Sequence, residues 1–537
     1  MTGLHISLLG MGVYKIFMKS GMGIWAAGIL SLTLMLGYGM MTGGSVSTMR
    51  AVCMFLLSVG AKLLGRCYDM LTSLALAAIL AILDSPANLY NCSFLLSFGA
   101  VLALGIASPV LIKAAGAKKS TAQAFWSSLS VQIFTLPVVL WFYGEVSVLG
   151  IFLNLLVLPT VGIALASGAA CALLGIFQGE LALLAAVPGR VVLFAYEKLC
   201  ELSGRLPFCT WIGGRPQLWQ ILVYYFLGGA ALVLLYNLSE KQTEEEKKGK
   251  RRMIKMAGAG LMGGGLLLLS WHPLKDLRIT CMDVGQGDGI FVETPEGFCF
   301  LIDGGSSNKS DVGQYQLLPC LKSRGIPKVD GILISHPDED HISGVCQMLE
   351  YIRDGLTVIR VETLFLPFCT DKTQGYQELE KLALEAGAEV AYVKKGDCLE
   401  AGELSLSFLA PFVEQAEDTN ENSTVIQLAY GSFRGLFTGD IGEEREKQLL
   451  PALSQVDFLK VAHHGSRYST SEAFLEKTKP RIGVISCSDT NTYGHPSPDT
   501  VKRLTDAGCQ VEYTMKSGAV ILETDGVQIK VKRFAAE

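Results

Sequence analysis

The segment Ser335-His336-Pro337-Asp338-Glu339-Asp340-His341-Ile342-Ser343-Gly344 holds two imidazoles and three carboxylates within six consecutive positions. It follows the apolar run Gly331-Ile332-Leu333-Ile334, so the chain reads here as a strand that empties into a turn and a helix start. Imidazole nitrogens and carboxylate oxygens together suit Zn²⁺ or Mn²⁺. His336, Asp338, Asp340 and His341 are therefore candidate ligands. The plainer reading is a polar strand-to-helix turn in which Asp338 caps the helix. The other histidines weigh against it. The chain has only seven, and five of them fall in three short clusters, at 336/341, 463/464 and 495.

Two more apolar runs end in the same chemistry. Leu436-Phe437-Thr438-Gly439-Asp440 closes on an acid, which makes Asp440 a candidate to bridge two metal ions. Val456-Asp457-Phe458-Leu459-Lys460-Val461-Ala462 closes on His463-His464-Gly465-Ser466. One of this histidine pair is expected to ligate and the other to orient it or to pack; the sequence leaves open which. Asp283, Asp288 and Asp303 sit in glycine-rich turns and read as structural residues rather than ligands.

The elements that must position these residues differ sharply between the two parts of the chain. Of 537 residues, the first 238 carry 12 Lys/Arg and 6 Asp/Glu, whereas the remaining 299 carry the other 77 charged side chains. The first part is membrane-like and the second has the charge content of a globular domain. Apolar runs long enough to cross a bilayer, where about 20 residues suffice, are expected near 3–17, 21–40, 48–64, 68–83, 93–113, 122–143, 146–177, 181–201, 218–238 and 253–270. The run 146–177 contains Asn154, Pro159, Gly162 and Gly168 and is expected to be a broken or steeply tilted helix. Gln132, Glu145, Asn154 and Arg190 are candidates to line a hydrated path, with snorkelling at the interface as the alternative for Glu145 and Arg190. No cleavable signal peptide is expected, since the first apolar segment lacks a basic leader and a small-residue cleavage site.

Lysine placement tests the orientation. Lys15 and Lys19, Lys62 and Arg66, the trio Lys113, Lys118 and Lys119, and the basic stretch 239–252 all follow odd-numbered runs. Placing them in the cytoplasm predicts ten crossings, with residues 271–537 outside. Arg50, Arg205 and Arg215 fall on the opposite side. The organisation expected is a multi-span membrane domain at 1–238, a charged cytoplasmic loop at 239–252, a final span at 253–270 and a soluble domain at 271–537. Within the soluble part, strands are expected at 277–282, 290–293, 298–302, 331–334, 359–366, 404–409, 424–429, 433–437, 457–461 and 482–487. Helices are expected at 338–352, 374–386, 442–451, 470–477 and 498–507. That alternation predicts two sheets with helices outside. The 14 cysteines include no C-x-x-C pair, which argues against a thiolate metal site, and a net charge of −5 gives no overall basic signature for nucleic acid.

Taken in order, H-x-D-x-D-H, T-G-D and H-H-G-S resemble the metallo-β-lactamase superfamily. Asp-Val-Gly-Gln-Gly-Asp at 283–288, Ile-Asp-Gly-Gly at 302–305 and Asn491-Thr492-Tyr493-Gly494-His495-Pro496 resemble the C-terminal domain of ComEC-type DNA-uptake proteins. In the first half, Thr2-Gly3-Leu4-His5-Ile6-Ser7, Met49-Arg50-Ala51 and Phe94-Leu95-Leu96-Ser97-Phe98 resemble landmarks of the competence membrane domain. The resemblance implies a polytopic α-helical membrane domain followed by an α/β metallo-β-lactamase-like αββα sandwich. It departs from the superfamily pattern at Asp338, where histidine is usual, and this extra oxygen favours Mn²⁺ or Mg²⁺ over Zn²⁺. Asn420-Glu421-Asn422-Ser423-Thr424 stands in place of the isolated middle histidine. The N-terminal anchor and small OB-like domain usual in the family are expected to be lacking.

The resemblance implies transport of single-stranded DNA across a bacterial cytoplasmic membrane during transformation, with degradation of the other strand by a metal-dependent phosphodiesterase. Two divalent ions, Zn²⁺ or Mn²⁺, would be held by His336, Asp338, Asp340, His341, Asp440 and one of His463 and His464. Asp340 would also orient or deprotonate a water, and His495 would contact the phosphate or protonate the leaving oxygen. Lys460 and Arg467 are candidates to meet DNA phosphates, with ordinary surface charge as the alternative. Expected partners are DNA, membrane lipids, a DNA receptor and translocation ATPase, and further copies of the chain. Two other readings stand beside this one: a DNA channel with a catalytically degenerate soluble domain, and a membrane-tethered phosphodiesterase acting on lipid or wall polymer.

Overall fold

A computed structural model describes residues 2–204, 206, 209–240, 247–369, 373–411 and 419–536. Arg205 and part of the charged stretch 239–252 lie outside the described residues, as do the side chains of the motif at 2–7. The chain divides into two compact units, Met1–Trp271 and His272–Glu537.

The first unit is helical, and its helices overlap the ten apolar runs. Among the described residues, eight helices are long and apolar enough to cross a membrane: Ile24–Met41, Val46–Leu63, Cys92–Ala115, Ser120–Tyr143, Gly150–Gly175, Gly179–Gly204, Leu218–Asn237 and Arg252–Leu269. Met70–Asp84 is apolar but shorter. Helices apolar all round are stable where water does not compete for their surface. The ends of three are tied by side chains: Ser45, Asp69 and Asn91 accept the backbone N–H of Thr48, Thr72 and Ser93. Hydroxyls inside the apolar region return to their own helix, as when Ser31 donates to the Ala27 carbonyl and Thr135 to the Val131 carbonyl.

The run 146–177 does not hold a broken helix. Its first residues form β1 (Glu145–Ser147), which pairs antiparallel with β2 (Thr210–Ile212). Gln132 donates its side-chain amide to the Ser147 carbonyl and so supports this turn. The helix then continues unbroken from Gly150 to Gly175 through Asn154 and Pro159. Proline removes one ladder donor without ending the helix, and hydroxyls bond the carbonyls beside it. Thr160 donates to the Leu156 carbonyl, and the Tyr196 hydroxyl of the next helix donates to the Val157 carbonyl.

The second unit is two stacked sheets with helices on the outer faces. In the first sheet β3 (Leu277–Met282), β4 (Gly289–Glu293), β5 (Cys299–Gly304), β6 (Lys328–Leu333), β7 (Arg360–Pro367) and β8 (Glu389–Val393) lie in chain order. The late hairpin β16 (Ala519–Thr524) and β17 (Ile529–Arg533) joins beside β3. In the second sheet β9 (Cys398–Ala401), β10 (Leu404–Ala410), β11 (Val425–Tyr430), β12 (Phe433–Phe437), β13 (Phe458–Lys460), β14 (Ile482–Ile485) and β15 (Gln510–Tyr513) also follow chain order. Alternate residues of both sheets meet in one core: Leu277, Ile279 and Cys281, Leu404, Leu406 and Phe408, Phe433 and Phe437, and Phe458. The opposite face of the second sheet, with Leu436, Leu459 and Val461, packs against Phe474, Leu475 and Leu504 of outer helices. This is an αββα sandwich.

Strands β5, β6 and β7 are parallel, as are β12 through β15. The carboxyl ends of neighbouring strands within each set therefore lie on one edge of their sheet, where short loops bring side chains from distant sequence together. Beyond the expected strands the chain forms β8, β9, β15, β16 and β17. No disulfide links the cysteines among the described residues.

Candidate metal centre

The site is assembled from strand ends. Asp303, at the end of β5, has a left-handed backbone (φ 54°) that turns its carboxylate toward the next strand. That carboxylate accepts the Ser335 N–H (2.8 Å) and hydroxyl (2.7 Å) and lies 3.0 Å from His341 Nδ1. The contact fixes the His341 ring and turns its Nε2 toward Asp440 Oδ2, 3.4 Å away. From β14, the Ser486 carbonyl accepts from His464 Nδ1 at 2.9 Å. This leaves His464 Nε2 3.4 Å from both Asp340 Oδ2 and Asp440 Oδ2. His336 adjoins, its ring centroid 4.0 Å from that of His341 and its Nε2 3.8 Å from Asp338 Oδ2.

Asp340, His341, Asp440 and His464 offer ligand atoms all within 4.8 Å of one another, and so do His336, Asp338 and Asp340. Asp340 is common to both groups. Asp288, Asp303 and His341 make a further grouping, in which His341 Nδ1 already faces Asp303. The Nε2 atoms of His336, His341 and His464 and Oδ1 of Asp440 are buried with no hydrogen-bond partner. Leaving four such atoms bare in an interior is costly, and they converge. The donor set fits a divalent cation held by imidazole and carboxylate.

The electrostatics agree. Burial works against charge on His464, yet Asp440 and Asp288 outweigh it and lift its pKa to about 10. His341 is likewise raised well above its ordinary value, by Asp440 and Asp303 against burial. Burial also opposes charge on Asp440, but His464 and His341 hold it well below the usual carboxylate range. Asp340 drops to about 2, burial being overcome by the neighbouring His464 and His341. Burial, then His341, pushes His336 down to about 3. Asp338 is raised, by burial and then by Asp340. Without a metal, protons on His341 and His464 balance the buried carboxylates, and a cation competes for the same place.

Of the histidine pair, His464 is the inward member. Both have left-handed backbones (φ 49° and 53°), and the turn sends the two rings apart. His463 stands at the rim, a third exposed, with Nε2 3.9 Å from Asp440 Oδ2. His495 also lies beside the cluster, its ring 5.6 Å from His463 and 6.3 Å from His464. Burial, then His464 and His463, pushes its pKa down to about 4. The segment 420–424 forms a wall next to His336. Thr424 N–H donates to the Ser335 carbonyl, Ser423 Oγ lies 3.4 Å from His336 Nδ1, and the same oxygen accepts the Asp440 N–H.

Lys460 corrects an expectation. It is 1% exposed, so it is not a surface contact for phosphate; its Nζ pairs with Asp288 Oδ2 at 2.7 Å. Burial opposes its charge, but Asp288 raises its pKa. Alternation along β13 carried this signal: Lys460 is two residues from the core residue Phe458 and so points the same way. Asp288 also joins the site through its backbone, donating N–H to the Asp340 carbonyl and accepting from Gly305 N–H.

Lys460→Met is expected to lower the stability of the second unit by about 3–5 kcal/mol, because it leaves Asp288 charged and alone. Adding Asp288→Asn should restore much of the loss. The measurement is the urea midpoint at which the buried thiols Cys281, Cys299, Cys487 and Cys509 become reactive in the full chain. A second expectation concerns pH. The raised His464 pKa stabilises the metal-free fold below about 6.5, an effect lost as pH rises through about 10. Divalent metal must displace that proton. Its apparent affinity should therefore climb about tenfold per pH unit for each proton released between pH 6.5 and 9, read by calorimetry in buffers of different ionisation enthalpy. A pH-independent affinity would contradict the cluster's role.

Comparison with known proteins follows the same division. Residues 1–238 match the Competence protein family and residues 282–489 the Metallo-beta-lactamase superfamily. The chain is 26% identical over 536 residues to ComE operon protein 3 of Bacillus subtilis, covering 97% of this chain and 66% of that protein. It is 29% identical over 244 residues to Recombination protein 2 of Haemophilus influenzae, covering 45% and 28%. It thus spans less than two thirds of the length of these relatives. Among solved structures, the metallo-beta-lactamase fold protein YhfI from Bacillus subtilis aligns with a TM-score of 0.33 and 13% identity, covering 48% of this chain and 100% of that chain. The chain thus joins a domain matching the Competence protein family to one matching the Metallo-beta-lactamase superfamily, and it is similar over nearly its whole length to ComE operon protein 3.

Proposed function

We propose that this chain serves DNA uptake in natural transformation and that its second unit is a divalent-metal phosphodiesterase that cuts the strand not transported. The observation that carries the reading is the convergence of bare His341, His464 and Asp440 atoms at a strand-end centre, on a chain whose other half belongs to the competence family. One ion would be held by His336, Asp338 and Asp340, a second by Asp340, His341, Asp440 and His464. The share of carboxylate oxygen favours Mn²⁺ or Mg²⁺ over Zn²⁺. A bound ion would lower the pKa of a coordinated water and neutralise phosphate charge.

The chain's own residues supply the rest. Asp340 is partly open to solvent and ionised, which suits it to orient a water by accepting its hydrogen bond. His495 is neutral at pH 7 and offers a hydrogen bond rather than a charge to a substrate oxygen. Asp303 and the Ser486 carbonyl hold the His341 and His464 rings in place. Lysine placement supports a second unit on the outer face of the cytoplasmic membrane. There it would meet incoming DNA beside lipid, the DNA receptor, the translocation ATPase and neighbouring copies of the chain. One observation favours a second reading, a channel whose soluble domain does not cleave: Ser423, not a histidine, stands beside His336.

The purified full chain with Mn²⁺ or Zn²⁺ is expected to cleave DNA. Asp440→Ala should lower kcat/KM about a thousandfold or more, since it strips several kcal/mol of charge stabilisation. Absence of cleavage by the parent chain would favour the second reading. For orientation, in a chain cleared of its native cysteines, Lys275→Cys should react with an impermeant thiol reagent in whole cells and Glu245→Cys should not. The reverse pattern would overturn the placement.

A further inference from the structure

Tyr493 sits in the loop between β14 and the helix Pro498–Asp506, is 65% exposed, and has no part in holding a cation. A single exposed tyrosine is ordinary; this one is distinguished by where it stands. Its ring stacks on that of His495, with centroids 5.8 Å apart and planes 25° apart. His495 in turn packs beside His463 and His464 at 5.6 and 6.3 Å, and His464 lies 5.4 Å from His341. A continuous file of rings thus runs from solvent to the carboxylate cluster. One face of its outermost ring is covered by His495, and the ring is otherwise largely open to solvent.

The loop that carries that ring is braced. The Asn491 side chain spans it, donating to the Ser488 carbonyl (2.5 Å) and the His495 carbonyl (2.6 Å) and accepting the His495 N–H (2.9 Å). The loop is also seated on the histidine turn: Ser497 N–H donates to the Gly465 carbonyl, and Pro496 lies so close to Gly465 that a Cβ there would fall 2.8 Å from it. An aromatic side chain has few torsions to freeze, so a ring carried on a braced loop binds a flat partner at low entropic cost. Arg467, exposed and three residues past His464, lies over the Tyr468 ring at 5.8 Å, adding a cation to the same surface turn.

We propose that Tyr493, backed by His495, is a stacking platform for an unpaired nucleobase adjoining the phosphodiester at the metal centre, so that the site takes single-stranded or frayed DNA in preference to closed duplex. This rests on the phosphodiesterase reading above. Base-on-aromatic stacking tolerates any sequence but requires the base to leave its pair.

The test compares two single-stranded oligonucleotides of one length, one with all its bases and one with an abasic stretch, using the full chain in detergent with Mn²⁺. Tyr493→Ala is expected to lower kcat/KM on the base-carrying strand about 5- to 150-fold, the range of one stacked base, and to leave the abasic strand unchanged. Tyr493→Trp and Tyr493→Phe should retain activity on both. Equal activity of Tyr493→Ala and the parent chain on the base-carrying strand would overturn the proposal, and so would an equal loss on both strands, which marks a merely structural residue. Fluorescence anisotropy with the same strands reads binding without turnover. If the parent chain cuts neither strand but Tyr493→Ala still binds the base-carrying one more weakly, the platform stands and the phosphodiesterase reading falls. If binding is also unchanged, the platform falls.

Discussion

The second unit is organised around buried negative charge. Asp288, Asp303 and Asp440 are each at most 3% exposed, and an ionised carboxylate does not persist in an interior without a partner. Each is answered differently. Asp288 has a lysine brought in from β13; Asp303 has the Ser335 N–H and hydroxyl together with the His341 ring. Asp440 has imidazole nitrogens at 3.4 Å, from His341 and His464, and one oxygen of Asp440, like one of Asp288, accepts nothing. Asp288 and Asp303 each have a close partner within the protein, whereas Asp440 faces the imidazoles and is left for an ion. That asymmetry separates the scaffold of the site from its working part.

The backbone bears the cost of this arrangement. Asp303, His463 and His464 all adopt left-handed conformations that non-glycine residues avoid, and all three lie at or beside the cluster. Tight glycine packing surrounds them: a Cβ on Gly439 would come within 2.8 Å of Ser423, and one on Gly305 within 2.5 Å of the Glu339 carbonyl. The sandwich core, filled by Phe437, Phe458 and their neighbours, anchors the strand ends firmly enough to hold these turns.

Much of this was legible in the sequence because strand ends and chemistry coincide. Apolar runs ending at 334, 437 and 461 mark β6, β12 and β13, and the residues just beyond them meet in space. What was not legible depended on three-dimensional choices. His463 and His464 are identical side chains in adjacent positions, and only the backbone turn decides which ring faces inward. Lys460 read as surface charge because residue type outweighed alternation; its place in step with Phe458 pointed inward. The strand β16 is an apolar run, Ala519-Val520-Ile521-Leu522, and β17 alternates Ile529 and Val531 with lysines, on either side of an Asp525-Gly526 turn; that hairpin signal lay outside the expected strands. In the membrane unit, Pro159 suggested a break, but the helix runs through it from Gly150 to Gly175.

Charge balance bears on how many ions the proposed centre needs. Asp303, Asp338, Asp340 and Asp440 contribute four negative charges once His336, His341 and His464 are neutral ligands, while Asp288 is balanced by Lys460. One divalent ion would leave the cluster net negative, a poor seat for any anion. Two would bring it to neutrality. With a histidine at 338 the same two ions would leave one positive charge, so Asp338 sets the balance of the proposed centre at zero.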